Sequence, residues 1–439
     1  MPARTLPAVS VRLAVGLALY AASVAVYVWF TVTYGGLWTH TDEYTYWQAG
    51  RLAVQHSAEI YNVNFPPPGD TSHVPFIYPP STAGILALLS PASFAVWQAA
   101  LVAANLVAVP VAAYLAPHIA GRRGISGAAW ALAVSAVAIW LQPVYLTNFF
   151  GQLNLLLLVL IMADLALPDT SRWKGAGIGI AAGIKLTPLI FVPYLFASRR
   201  VRAGTVSLAA FSATIAIGFA LMPAASREFW GGKFASPDVG PGRRQNQSLY
   251  GVALRLLHDP ATAHIAWLAA AAVVGIAGLT VAVMASRRGM ELFGIVVCAT
   301  TGLLVSEISW THHWVWVVPA LALTAAGTRA RGRWLAARIA GTVAVVAVTF
   351  HWVVPHEMWT VLPGWLRAIT PDVLGQTDLV VFGDAHDVFA VAGLLAIASA
   401  AGYLWVTRRP RPGQGQQPSG QSLPRAELAI RPHHHWSAP

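Results

Sequence analysis

The sequence predicts an all-α polytopic membrane protein: one bundle of about 10–12 transmembrane helices, with re-entrant and interfacial helices among them. Three observations carry the prediction. Of 439 residues, 56% are hydrophobic and only 10% charged, where a soluble chain carries about 25% charged; mean hydropathy is +0.58. Apolar runs long enough to cross a hydrocarbon core of roughly 30 Å recur along the whole chain. Arginine and lysine cluster in the connections that alternate spans would leave on one side, as the positive-inside rule requires.

In chain order, full spans are expected near 11–32, 93–116, 127–145, 152–168, 203–222, 263–285, 290–307, 313–327, 339–354 and 388–407. The first run is too long for a signal peptide and lacks a small-residue cleavage site, so it reads as an uncleaved anchor. Two apolar pieces do not fit as single spans. Pro79 to Leu89 is too short, and Gly175 to Ala197 carries Lys185, Pro188 and Pro193. Both read as half-helices or hairpins held within protein, where broken helices are tolerated. Segments 43–56 and 248–258 read as amphipathic helices on the membrane surface. Phe65-Pro66-Pro67-Pro68-Gly69 is a stiff connector. Residues 1–407 therefore make one membrane domain with outer loops at 33–80, 223–262 and 355–387, and 408–439 a disordered cytoplasmic tail rich in Pro, Gly, Gln and Ser. His433-His434-His435 in that tail bind metal only adventitiously.

The net charge is +11. The clusters at Arg4 and Arg12, Arg122-Arg123, Arg172 with Lys174, Arg199-Arg200 with Arg202, Arg287-Arg288, Arg329 to Arg338 and Arg408-Arg409 belong on the cytoplasmic side. Loops 33–80, 146–151, 223–262, 308–312 and 355–387 then face outward. The outward 223–262 loop is itself basic, with Lys233, Arg243 and Arg244, so those charges serve something besides topology. The single Cys298 lies in an apolar run and reads as a buried structural thiol. No P-loop, nucleotide-binding glycine fingerprint or zinc-ligand spacing is present, which argues against a nucleotide-driven pump and predicts no metal site.

Five outward stretches carry candidate chemistry. Asp42 and Glu43 follow the first anchor among Tyr44, Tyr46 and Trp47. Helical neighbours diverge by about 100°, so the two carboxylates do not share one task. Asp42 is either the cap of the next helix or a general base at the mouth of a cavity. Gln152 and Asn154 follow Gly151 at the outer start of a span, where amides suit sugar hydroxyls or interhelical hydrogen bonds. Lys185 lies inside an apolar run, a costly place that calls for a partner; it pairs with a phosphate or snorkels to the interface. Arg243 and Arg244 precede Asn246, Gln247 and a helix start, a pattern for gripping phosphate or simply a solvated loop. His312 and His313 sit in a bend between two spans, placed to hold a proton or a substrate, or to close the bend.

Taken together, these motifs resemble glycosyltransferase family 87 of the GT-C superfamily, the polyprenyl-phosphate-mannose-dependent mannosyltransferases of actinobacteria. The carriers, in order, are Asp42-Glu43-Tyr44 with Ala49-Gly50-Arg51 and Ile60-Tyr61, then Phe76-Ile77-Tyr78-Pro79-Pro80, Gly151-Gln152-Leu153-Asn154, Lys185-Leu186-Thr187-Pro188, Asn246-Gln247-Ser248-Leu249 and Ser309-Trp310-Thr311-His312-His313. The resemblance runs from about Asp42 to Trp316, and the region beyond Val354 carries none of it. One departure is Glu43, where an apolar residue is expected after the aspartate.

The resemblance implies an inverting α-mannosyltransferase, needing no cofactor beyond its lipid-linked donor. It would move mannose from polyprenyl-phosphate-mannose to a mannosylated lipid such as a phosphatidylinositol mannoside or lipomannan, on the outer face of the plasma membrane. Asp42 matches the family's base, with His312 and His313 beside it. Glu43, Tyr44, Tyr46, Tyr78, Gln152, Asn154, Lys185, Arg243, Arg244, Asn246 and Gln247 are expected to contact donor or acceptor. Two alternatives stay open at this point: a lipid-linked sugar transporter, and a related transferase using another sugar such as arabinose.

Overall fold

The computed structural model describes residues 6–33, 41–66, 74–121, 125–235, 239–325, 333–349, 353–355, 379–381 and 387–407. The connector at 67–69, most of the 355–387 loop, the tail from 408, and Arg4, Arg122, Arg123, Arg329 and Arg331 lie outside the described residues.

The protein is an all-α polytopic membrane protein. Among the described residues, five helices are long and apolar enough to cross a membrane alone. They are α1 (Leu6–Thr33), α4 (Phe94–Ile119), α10 (Val201–Leu221), α13 (Pro260–Arg287) and α17 (Val388–Val406). Each coincides with an expected span. The other five expected spans are shorter helices. In place of 127–145 the chain forms α5 (Ile125–Ala138) and α6 (Gln142–Phe149). Pro143 marks the break: it lacks the N–H that would continue the helix from α5, and it sits in the first turn of α6 just after the extended Leu141. The rest are α7 (Asn154–Ala166), α14 (Glu291–Val305), α15 (Val317–Ala325) and α16 (Arg333–Thr349). A short antiparallel pair, β1 (Val353–Pro355) with β2 (Leu379–Val381), is the strand structure among the described residues.

Helix α7 is central. Its Leu157 and Ile161 pack into one apolar cluster with Phe191, Cys298 and Leu303. Its Leu155, Leu158 and Met162 pack into another with Tyr27, Val109 and Val318. Cys298 is buried, as its apolar run suggested. Outward faces are apolar too: Val15, Trp29 and Val32 on α1, and Ile265, Val273 and Ile276 on α13, are exposed. In water such faces would be a liability; in lipid they are the solvated surface.

The 175–197 segment is a hairpin. Helix α8 (Ala176–Ile184) rises to a tip at Lys185-Leu186, and a 3₁₀ turn (Thr187–Ile190) leads into α9 (Phe191–Ala197), which returns. Its two ends meet at Asp169, which pairs with Lys174 at 2.8 Å and Arg200 at 3.2 Å. Arg200 also grips Glu291 through its two terminal guanidinium nitrogens at 2.7 Å each. Asp164, a carboxylate inside α7, accepts the Gly175 N–H at 2.8 Å and so caps the start of α8.

This basic end is separated from the tip of the hairpin by the length of α7, about 20 Å at 1.5 Å per residue. Asn154 begins that helix, and Asp169 lies three residues past its end. The motif-bearing loops gather at the Asn154 end.

Candidate active site

Helix α2 (Thr41–Gln55) supplies the first wall. It starts two residues earlier than the sequence suggested and does not simply lie on a surface, because Glu43, Thr45, Tyr46, Ala49 and Gly50 are buried. The reason is contact with α3 (Pro80–Leu89): a Cβ on Gly50 would meet the Leu86 carbonyl at 2.7 Å, so only glycine allows the two backbones so close. Asp42 and Tyr46, four residues apart, share the face turned inward.

Asp42 lies inside the first turn rather than at the cap position. Its Oδ2 accepts a hydrogen bond of 2.6 Å from Gln152 Nε2. Gln152 Oε1 accepts from the Tyr46 hydroxyl at 2.9 Å and, at a longer 3.4 Å, from that of Tyr78. The two phenols lie 2.6 Å apart. Burial pushes the Asp42 carboxyl up to about 6, against the Gln152 amide and the Lys185 ammonium, which draw it down.

Glu43 turns away, as helical geometry requires. It packs on the turn before α7, where its N–H donates to the Phe150 carbonyl at 3.1 Å. Gly151 makes this possible. Its φ is +67°, and a Cβ there would lie 2.2 Å from Glu43 Cβ.

Within electrostatic reach of the carboxylate stands the hairpin tip. Lys185 Nζ donates to Asn154 Oδ1 at 3.1 Å, lies 2.8 Å from His313 Nε2, and sits 5.7 Å from the centre of the Tyr78 ring. Asn154 Nδ2 donates to the His312 carbonyl at 2.9 Å, and Thr147 Oγ1 donates to the same oxygen at 3.0 Å. His312 Nε2 is buried and without a partner among the described residues. Beneath the lysine a cavity of about 50 Å³ is lined by Asn154, Lys185 and His313 and by apolar side chains of α7, α9 and α14. It has room for a water or two, not a sugar.

The site thus brings a carboxylate and an ammonium within electrostatic reach of each other, near Tyr78 and next to a histidine pair. Residues 76–306, just over half of the chain, match the model of glycosyltransferase family 87. The chain belongs to glycosyltransferase family 87. Its match includes Tyr78, Gln152, Asn154, Lys185 and the Arg243–Gln247 turn; Asp42, His312 and His313 lie on either side of it.

Two relatives are polyprenol-phosphate-mannose-dependent α-(1-2)-phosphatidylinositol pentamannoside mannosyltransferases. The one from Mycobacterium tuberculosis is 33% identical over 288 residues, 62% of this chain and 63% of the relative. The one from Mycolicibacterium smegmatis is 34% identical over 259 residues, 56% and 60% of the two chains. The chain thus spans about three-fifths of the length of these two. A third, a polyprenol-phosphate-mannose-dependent α-(1-2)-phosphatidylinositol mannoside mannosyltransferase of Mycolicibacterium smegmatis, is 30% identical over 354 residues, 72% and 79% of the two chains. No solved structure matches the chain.

In this family 87 chain the remaining expected site residues divide. Tyr44 and Trp47 face away from Asp42, packing on each other and on Phe94 at the start of α4. Asn246 and Gln247 are buried and engaged with backbone. Asn246 donates to the carbonyls of Pro241 and Glu307 and accepts from the Ser309 N–H; Gln247 donates to the Arg244 carbonyl and accepts from the Phe389 N–H. They tie the 241–248 turn to the bend that holds His312, aided by the Thr311 N–H on the Gln245 carbonyl at 2.9 Å. Arg243 and Arg244 are exposed on that turn, ahead of α12 (Leu249–Leu257), whose start Ser248 caps.

Sequence reasoning missed Asn105 and Thr147. Asn105 is buried in the middle of α4 and donates to the Gln152 backbone carbonyl at 3.0 Å. A lone amide within an apolar span was the available signal.

Proposed function

We propose that this chain is an inverting α-mannosyltransferase that moves mannose from polyprenyl-phosphate-mannose to a phosphatidylinositol mannoside, forming an α-1,2 linkage. The relatives' names support donor, acceptor class and linkage. The observation that carries the mechanism is the Asp42 carboxylate, held by Gln152 within electrostatic reach of the Lys185 ammonium, which itself sits by the Tyr78 ring.

Asp42 takes the proton of the acceptor hydroxyl as that oxygen attacks the anomeric carbon. The bond from that carbon to the phosphate oxygen breaks on the opposite face, which turns a β-linked donor into an α-linked product. Negative charge grows on the leaving phosphate, and Lys185, with Arg243 and Arg244 on the neighbouring turn, offsets it. His312 presents its buried Nε2 to the phosphate or the acceptor sugar. The donor brings its own leaving group, so the reaction uses no further cofactor, and no glycosyl–enzyme intermediate forms. The positive-inside rule assigns the basic end of α7 to the cytoplasmic side, which supports a site at the outer face of the plasma membrane.

The test uses purified protein in liposomes with labelled polyprenyl-phosphate-mannose and a phosphatidylinositol mannoside, with products read by mass and linkage analysis. The proposal expects an acceptor heavier by one hexose in α-1,2 linkage. Labelled donor crossing the bilayer with no new glycolipid would identify a transporter instead.

A further inference from the structure

We propose that Gln152 is a positioning residue for the base Asp42 rather than a contact for sugar, and that Asn105 in α4 holds it in place.

Three observations lead there. Gln152 is 3% exposed, and unlike His312 Nε2 it has no unpartnered side-chain atom to offer a sugar. Both ends of the amide are already engaged: Nε2 on Asp42, Oε1 on Tyr46. The orientation of the amide is also determined. A carboxylate only accepts hydrogen bonds, and the phenols of Tyr46 and Tyr78 both have a proton to give, so the N–H end must face Asp42.

The main chain of Gln152 is held separately. Asn105 Nδ2 donates to its carbonyl, and its N–H donates to the Thr147 carbonyl at 2.8 Å. A residue gripped by α4, by α6 and by two tyrosines is a rigid post. It fixes one oxygen of Asp42 and leaves Oδ1 as the oxygen to face an acceptor hydroxyl. Asn105 touches neither the base nor any reacting atom, so it acts only through the Gln152 backbone.

The inference rests on the reading of Asp42 as the base, and it has a signature that a substrate contact or a merely structural amide lacks. The Gln152 N–H stabilises the charged form of Asp42. Its removal should therefore move the acid limb of the pH profile upward. The other groups facing Asp42 are Lys185 from the hairpin tip, with the His312-His313 bend behind it, Tyr46 from the same helix and Tyr78 from the segment before α3. Glu43 faces Gly151 instead. Lys185, which burial lowers to about 7 while Asp42 raises it, governs the alkaline limb, so the acid limb is the one these substitutions are read on.

The experiment measures kcat, KM for both substrates and the pH profile of mannose transfer for Gln152→Met, Gln152→Glu, Asn105→Leu and Asp42→Asn. Gln152→Met should lower kcat about ten- to a hundredfold, the scale of a hydrogen bond to a charged group. It should leave both KM values within about threefold and raise the acid midpoint by about one pH unit. Gln152→Glu keeps the shape and the acceptor for Tyr46 but sets a second carboxylate against the first, and should raise that midpoint further. It keeps the test open if Gln152→Met does not fold. Asn105→Leu should shift the midpoint the same way by less. The proposal is overturned if folded Gln152 variants raise KM alone, or lose activity with the acid limb unmoved. An active Asp42→Asn would instead remove the base reading itself, leaving the two failures distinct.

Discussion

Gln152 Nε2 and Asp42 Oδ2 lie 2.6 Å apart although 110 residues of chain separate them. The contact closes the mouth of the first loop onto the start of α7. It also draws the carboxyl toward its charged form while burial draws it the other way, and burial wins: the group titrates at about 6 rather than near the usual 4.

That balance sets a pH dependence. A base must be ionised to accept a proton, so transfer should fall as pH drops through about 6; it should fall again above about 7, where burial makes Lys185 give up its charge. Both limbs are checked by kcat/KM of the purified protein from pH 5 to 8. A flat profile down to pH 5 would place the proton elsewhere.

The same raised value has an opposite consequence for stability. The fold favours the protonated Asp42, so this group's contribution is full below its unfolded value and lost as pH rises through about 6. Asp42→Asn should therefore melt somewhat higher than the parent at pH 7.5, with the difference vanishing near pH 4. Thermal melts in detergent at both pH values test this, and a lower melting temperature at pH 7.5 would contradict it.

Lys185→Gln keeps a donor for Asn154 but removes the charge within electrostatic reach of Asp42. Steady-state kinetics should show kcat falling by about a hundredfold or more, the scale of losing one group that stabilises developing charge. A loss below about threefold would exclude Lys185 from the leaving-group side.

Gly151→Ala should damage the site through the backbone alone. A left-handed conformation costs a residue with a Cβ about 1–2 kcal/mol, and the added carbon would lie 2.2 Å from Glu43 Cβ. A lower melting temperature and loss of transfer are expected. Unchanged melting would mean the turn rearranges freely.

Arg243→Ala with Arg244→Ala should raise KM for the lipid donor several-fold, more so at low salt, while the melting temperature stays near the parent's, because both side chains are exposed. An unmoved KM at low salt would restrict the phosphate contact to Lys185 and the histidines.

Much of this was legible in the sequence, for stated reasons. Lys185 inside an apolar run announced the hairpin tip, since a buried ammonium demands partners, and Asn154 and His313 are those partners. The divergence of Asp42 and Glu43 followed from helical geometry alone. The span count was less legible. Hydropathy sees the 127–145 run as one piece, yet the proline at 143 divides it into α5 and α6. Tyr44 and Trp47 share their stretch with Tyr46, and only the rotation of α2 against α3 and α4 sorts them to different faces. Asn246 and Gln247 looked like ligand contacts because they follow Arg243 and Arg244 in a motif that resembles the family's, but backbone groups take up their amides: Pro241, Glu307 and Ser309 for Asn246, and Arg244 and Phe389 for Gln247.

The central claim is tested most directly by mannose transfer in Asp42→Asn, measured beside donor binding and beside Glu43→Gln. Asp42→Asn should lose about a hundred- to ten-thousandfold in kcat while still binding donor, and Glu43→Gln should keep catalysing wherever it folds. Transfer near the parent rate in Asp42→Asn, with a folded but inactive Glu43→Gln, would contradict the account.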